Sequence, residues 1–176
     1  MNSPFANIYL AIQQQIQTAV LNPDNTPMIP SIDQDLGQLD YYKVRPSVSF
    51  PCILIDFSNW RFSNMSENAQ LAEGDVILRL GFQPFSGSGQ ETPEAYREKS
   101  INYYDIEWAI HQALQGWSPG DDYGVLVRKC VETEKRKDPF RVRVITYSLK
   151  FDDYSTVREL QFIGAEINID TEINEG

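Results

Sequence analysis

The sequence is poor in residues that carry chemistry, with one histidine and two cysteines in 176 residues. A histidine that acts as a general base needs a nucleophile and an orienting partner, and a zinc site needs several ligands at suitable spacing. His111 has only Glu107 one turn earlier, and that i, i+4 pair is an ordinary helix contact. We therefore expect His111 to be structural and the chain not to be an enzyme.

Motifs for nucleotides and for activated serines are also missing. No G-x-G-x-x-G follows a strand, and neither G-x-x-x-x-G-K-[ST] nor G-x-S-x-G occurs. The loop carboxylates Asp121 and Asp122 follow Pro119 and Gly120, a pattern typical of a solvated turn. We expect no cofactor and no metal. A small-molecule enzyme that uses Asp121 and Asp122 is the alternative from another class.

Long apolar runs are lacking as well. The apolar runs fall short of the roughly 20 residues that a membrane helix needs, and the N-terminus has no basic stretch followed by an apolar core. We therefore expect a soluble protein with no membrane partner. Cys52 and Cys130 lie in apolar, strand-like stretches, which is typical of buried, reduced thiols, with a disulfide between them as the alternative.

Positive charge is scarce: 15 basic against 25 acidic residues give a net charge of −10. Such a chain has little general attraction for phosphate backbones. The acidity favours solubility, although a like-charged wall would also let DNA pass without binding it. Lys135, Arg136 and Lys137 form a compact basic exception, either a solvated hairpin tip or a contact for an acidic partner or DNA. A nucleic-acid-binding module that uses this tip is a further hypothesis.

Two amphipathic helices are predicted. The first begins at Ser3 and Pro4, which suit a helix N-terminus, and carries an apolar stripe every three or four residues. The second runs from Pro93 to Gln115. The stripe residues are Phe5, Ile8, Ile12, Ile16 and Ala19 in the first helix, and Tyr103, Ile106, Ile110, Leu114 and Trp117 in and just after the second.

Four segments have the pattern of strands. Phe50–Phe57 is almost entirely apolar and predicts a strand covered on both faces, whereas Asp75–Phe85 alternates. Val125–Thr133 and Arg141–Phe151 predict an antiparallel hairpin, and 63–74 a polar connection. The fold class is therefore α+β: a mainly antiparallel sheet of about four to five strands, with two helices packed on one face, in a single domain over residues 1–154.

Three regions have no evident place in this fold and are candidate contact surfaces. Segment 22–47 is long and rich in proline, with a short edge strand expected near Val44. The acidic extension 155–176 keeps a strand-like alternation and is either an added strand or a fraying terminus. The candidate interface residues are Trp60 and Phe62 on one strand face, Lys135, Arg136 and Lys137 at the hairpin tip, and Ile163 and Ile167 in the extension.

The element order resembles that of the tail-terminator, or tail-completion, proteins of long-tailed bacteriophages. The resemblance covers roughly residues 4–154. It is carried by Val44-Arg45-Pro46 before Phe50-Pro51-Cys52-Ile53-Leu54-Ile55, then Asp75–Phe82, a helix 104–114 that ends near Gly116-Trp117, and the basic, alternating strand Arg141–Phe151. Segment 22–47 and the acidic extension depart from that pattern.

That resemblance implies an α+β subunit of a homo-oligomeric, hexameric ring that closes the tail tube and joins it to the head. Its partners would be further copies of itself, the tail-tube protein and a head-completion or connector protein, with DNA passing nearby without specific binding. The protein would be a bacteriophage or prophage structural component of the virion tail, assembled in the bacterial cytoplasm, with no catalytic residues. Another head–tail connector, or a subunit of a contractile injection device, is the alternative.

Overall fold

The computed structural model describes residues 3–41, 43–45, 47–83 and 89–155. That part of the chain contains three helices and five strands. The strands form one sheet of order β1-β2-β3-β5-β4, in which β1 and β2 are parallel and all other neighbours are antiparallel. The elements are α1 Pro4–Ala19, β1 Ser31–Gln34, β2 Cys52–Ser66, β3 Ala69–Phe82, α2 Glu94–Ile101, α3 Tyr103–Leu114, β4 Val127–Thr133 and β5 Arg141–Asp153. The α+β class and the mainly antiparallel sheet are confirmed.

The main core lies between the sheet and helices α1 and α3. Ile8, Ile12 and Ile16 of α1 are fully buried, as the helical spacing predicted. Strand β3 contributes its alternating face, and β5 supplies Ile145, Tyr147, Leu149 and Phe151 from the next strand. The apolar face of the sheet packs against the apolar stripes of α1 and α3, so both helices lie on the same side of the sheet.

A second, smaller core covers part of the opposite face of the sheet. Cys52 and Leu54 point away from the helices and are buried with Leu39 and Val142, and Val48, Phe50, Phe140 and Val144 pack around them. Strand β2 is therefore covered on both faces at its start, as its continuous apolar run predicted. The cover comes from the segment between α1 and β2 and from Phe140, which stacks on Phe50.

Segment 22–47 is thus part of the fold, and the edge strand lies at a different place from the one expected. Ser31–Gln34 forms β1, parallel to Cys52–Ile55, whereas Val44 is 81% exposed. The expectation of a strand near Val44 was wrong. The four residues of β1 bury Ile32 against the main core. The exposed Val44 makes no such contribution.

Two further boundaries differ from the sequence prediction. The expected polar connection 63–74 is instead a hairpin, because β2 continues to Ser66 and β3 begins at Ala69. Its residues are exposed on β2, so they lack the apolar alternation by which strands are recognised. The expected single helix 93–115 is divided at Asn102 into α2, which buries only Ser100, and α3, which carries the core contacts.

Candidate assembly surfaces

Trp60 belongs largely to the core. Its ring makes edge and tilted contacts with Phe5 at 4.9 Å and Phe151 at 5.5 Å between centroids, and it packs against the main core. Phe62 is 47% exposed. Of the two aromatic residues predicted for an interface, only Phe62 presents a large part of its side chain to a partner.

A β-bulge explains the position of Trp60. The pairing of β2 with β3 shifts between Ser58 and Arg61, so that Asn59 and Trp60 lie opposite Gly74. Asn59 has a positive φ of 57°, in the left-handed region. A Cβ atom added to Gly74 would lie 2.4 Å from Trp60 Cδ2. The bulge turns the indole inward, and a residue without a side chain gives it room.

The predicted basic tip divides in the same way. Lys135 and Lys137 are exposed, but the side chain of Arg136 is only 9% exposed. Its guanidinium donates hydrogen bonds to Asp138, Asp40 and Glu134, and to the carbonyl oxygen of Leu39 at 2.6 Å. Arg136 therefore serves the fold of its own chain, and the cations open to a partner are the two lysines.

Arg136 is one half of a group that we call the double-arginine cluster: Arg79, Arg136, Asp35, Asp40, Glu134 and Asp138. Arg79 in β3 contacts Asp35 at 2.8 Å, Asp40 at 3.0 Å and Glu134 at 2.7 Å. Asp40 contacts both arginines. The cluster ties the segment after β1 to β3 and to the β4–β5 connection, and so holds the second core in place.

Charge pairing in this cluster lowers the pKa of three of its carboxylates, Asp40, Glu134 and Asp138. Hydrogen bonds from Arg79 lower the pKa of Asp40, and those from Arg136 lower the pKa of Asp138. Burial alone would raise the pKa of Glu134, but hydrogen bonds from both arginines bring it below its ordinary value. The carboxylates therefore stay ionised at neutral pH.

His111 is a structural neighbour of Tyr147, with Nδ1 3.4 Å from the phenolic oxygen. Burial, and then the charge of Arg128, lower the pKa of His111. Glu107, one helical turn before His111, accepts two hydrogen bonds from Arg143 at 2.6 and 3.1 Å. Glu107 pairs with this arginine of β5 because a bidentate pair with a guanidinium is stronger than a helix contact with an imidazole.

The cysteines are both free, and they lie in different surroundings. Cys52 is buried, and burial raises the pKa of its thiol to about 11. Cys130 is exposed, which corrects the expectation that both would be buried: it lies on the edge strand β4, on the face away from the helices.

The loop carboxylates Asp121 and Asp122 lie at a surface cavity of about 450 Å³ with Asp152 and Lys150. Within the described residues, no group of three or more histidine, cysteine, aspartate or glutamate side chains is placed to hold a metal ion.

No helix of the described chain is long and apolar enough to cross a membrane.

A further surface emerges only from the structure. Strand β4 forms one edge of the sheet, and helix α3 contacts the neighbouring strand β5. Tyr104 and Trp108 of α3 are 48% and 58% exposed, and Val127 of β4 is 45% exposed. Arg143 lies 5.6 Å from the ring of Tyr104 and bonds Thr133, which fixes the helix over this edge. We call β4, Tyr104 and Trp108 the β4 edge surface. Neither aromatic residue was identified from the sequence as a contact site.

The remaining candidates, Ile163 and Ile167, lie outside the described residues, as does nearly all of the acidic extension. Their proposed role stays a prediction.

Comparisons with known proteins give a likeness in fold. No protein-family model matches the sequence, and no curated protein matches it. Among solved structures, the fold is similar to that of a chain in the virion of a native gene transfer agent particle. The two share 9% sequence identity with a TM-score of 0.51, over 87% of this chain and 100% of the other. That likeness concerns the fold.

Proposed function

We propose that the protein is a structural component of a bacteriophage-like particle and acts by assembly, without turnover. More specifically, we propose that it forms a ring, hexameric as the family resemblance implies, that terminates the tail tube and joins it to the head. The observation that carries the proposal is the fold likeness to a virion chain, which spans the whole of that chain. The element order of residues 4–154 supports the same reading.

The geometry suits a rigid subunit with contact surfaces at its periphery. Cores on both faces of the sheet and the double-arginine cluster fix the centre of the molecule. The exposed apolar groups include Phe62 and Met65 on the β2–β3 hairpin and, at a separate place, those of the β4 edge surface. Two different surfaces on one subunit allow head-to-tail contacts, which close into a ring when the rotation permits.

The charge of the chain suits the passage of DNA through such a ring. A net charge of −10 gives no general attraction for a phosphate backbone, so DNA moves past without being held. In this proposal the subunit contacts further copies of itself, the tail-tube protein and a head-completion or connector protein, in a virion tail that is assembled in the bacterial cytoplasm.

Light scattering coupled to size exclusion, together with negative-stain images of the protein mixed with tail tubes of its own particle, tests the proposal. We expect closed rings, free in solution or at one end of each tube. A protein that stays monomeric in solution and leaves tube ends bare contradicts it. Rings that bind the portal side and never the tube support a connector instead.

A further inference from the structure

The edge strand β4 has no strand on its outer side in the described chain, since the sheet ends there. At its start, Gln115 Oε1 accepts a hydrogen bond from the N–H of Arg128. From Lys129 onward the outer edge offers backbone groups to a further strand. Edge strands are usually shortened, charged or covered, because an open edge pairs with other chains. The charged residues on β4 are Arg128, Lys129 and Glu132, a net positive set, and the rings of Tyr104 and Trp108 on α3 are exposed.

One segment of this chain has the composition of a strand that fits the edge. Residues 163, 165, 167 and 169 are Ile, Ala, Ile and Ile, and the residues between them are Gly164, Glu166 and Asn168. The run Ile163–Ile169 is as long as β4, which has seven residues. Such a strand has one apolar and one polar face. The apolar face matches Tyr104 and Trp108, and the polar face matches Lys129 and Cys130.

We propose that residues 163–169 of one copy add a strand to the β4 edge of the next copy in the ring. Backbone hydrogen bonds to an open edge give such contacts their affinity, and alternate side chains give them specificity. The inference rests on the proposed function, because it needs a neighbouring copy, and it names the segment that links the two.

Charge favours this pairing. Residues 157–176 carry one basic residue and five acidic ones. Arg128 and Lys129 lie on the edge strand, and Lys135 and Lys137 are exposed just beyond it. Opposite charge across a contact speeds association and disfavours wrong partners. The acidic extension itself repels DNA, which is also negatively charged.

The position of the chain end favours a neighbour over the same copy. Strand β5 leads to Ser155, and the segment before β4 already lies beside that end, with Tyr123 paired to Phe151 and the N–H of Asp152 donating to the carbonyl of Asp122. To reach its own β4 edge, the extension would have to cross this segment and reverse direction. Residues 156–162 span at most about 23 Å when extended, a length that lets the segment after them extend beyond its own copy.

The exposed thiol of Cys130 provides a direct test in the full chain. Glu166→Cys and Asn168→Cys each place a thiol on the polar face of the proposed strand, one register step apart, and Asn174→Cys is the matched control outside it. Because a disulfide requires Cα atoms about 4.4–6.8 Å apart, mild oxidation reports the pairing. Cys52 is buried and unreactive.

We expect Glu166→Cys or Asn168→Cys to form disulfide-linked dimers and larger multimers on a non-reducing gel, at least tenfold more than Asn174→Cys. The additional substitution Cys130→Ser should abolish them. Cross-links within single chains, or equal cross-linking of all three variants, overturn the inference. Light scattering of the unmodified protein separates the two proposals: rings without these cross-links refute only the added strand, whereas a strict monomer refutes the proposed function as well.

Discussion

At the scale of single residues, Gly74 determines whether Trp60 can turn inward. A Cβ atom there would overlap the indole at 2.4 Å, so Gly74→Ala must displace the ring or the bulge. We expect a loss of about 1–3 kcal/mol in the free energy of unfolding, measured by urea denaturation. Gly120→Ala is the control, because its Cβ would meet Tyr123 at an ordinary 3.4 Å. Equal stability of both variants would show that Trp60 does not depend on Gly74.

Arg136 and Lys135 are neighbours in sequence with opposite roles. Arg136→Ala removes the arginine partner of Asp138 and leaves Asp40 and Glu134 with Arg79 alone. The loss should be about 2–3 kcal/mol in unfolding free energy. Lys135→Ala changes an exposed side chain and should stay within about 0.5 kcal/mol. Thermal and urea unfolding of the two variants decides the point. Similar losses would mean that the tip is uniformly solvated.

These residues show where sequence reasoning reaches its limit. The sequence shows two aromatic residues two positions apart and a run of three cations. Regular strand alternation would put both aromatic side chains on one face, and a hairpin tip would expose all three cations. The bulge at Asn59 breaks that alternation, and long-range carboxylates draw Arg136 inward. Neither the bulge nor a pairing across 96 positions leaves a local signal in the sequence.

The exposed Phe62 is the clearest surface candidate at this scale. Phe62→Glu should weaken ring or tube association at least tenfold, about 1.4 kcal/mol, because it places a charge in a desolvated contact, with little change in melting temperature. Tyr96→Glu, on α2 and 59% exposed, is the matched control. Unchanged assembly of Phe62→Glu would remove this residue from the interface.

At the scale of elements, the double-arginine cluster makes the docking of the segment after β1 sensitive to acid. The pKa values of Asp40, Glu134 and Asp138 are lower in the folded chain than their ordinary values of 3.8 and 4.5. Their stabilising contribution is therefore fully present above those ordinary values and is lost as the pH falls through the lower folded-state values. Urea unfolding between about pH 3 and 6 should show this loss.

Arg136→Ala provides the control for that pH dependence. Without this guanidinium, the folded-state pKa values of its carboxylate partners move back toward their ordinary values, so unfolding free energy should fall less steeply with acid. A slope equal to that of the unmodified protein would place the acid-sensitive groups elsewhere in the chain.

The elements themselves were largely predictable. The stripes of α1 and α3, the doubly covered start of β2, the alternating face of β3 and the β4–β5 hairpin follow from local periodicity. Strand β1 did not, because four residues are too few for a pattern and a parallel partner lies beyond a long connection. The polar half of the β2–β3 hairpin was missed because its side chains contact solvent on β2.

At the scale of the whole molecule, charge makes a prediction about nucleic acid. A chain of net charge −10 that lets DNA pass should show no salt-dependent affinity for duplex DNA in fluorescence anisotropy at moderate ionic strength. Affinity that falls steeply with salt and disappears in a Lys135→Ala, Lys137→Ala double variant would instead favour a nucleic-acid-binding module.

The central claim is that this fold acts by assembling at the end of a tail tube. Imaging of the full-length protein with tail tubes from its own particle, combined with its mass in solution, tests that claim most directly. The account predicts closed rings of identical subunits, either free or seated on one end of each tube, which then stop growing. A protein that remains monomeric at all concentrations, while tubes elongate past it with bare ends, would contradict the account.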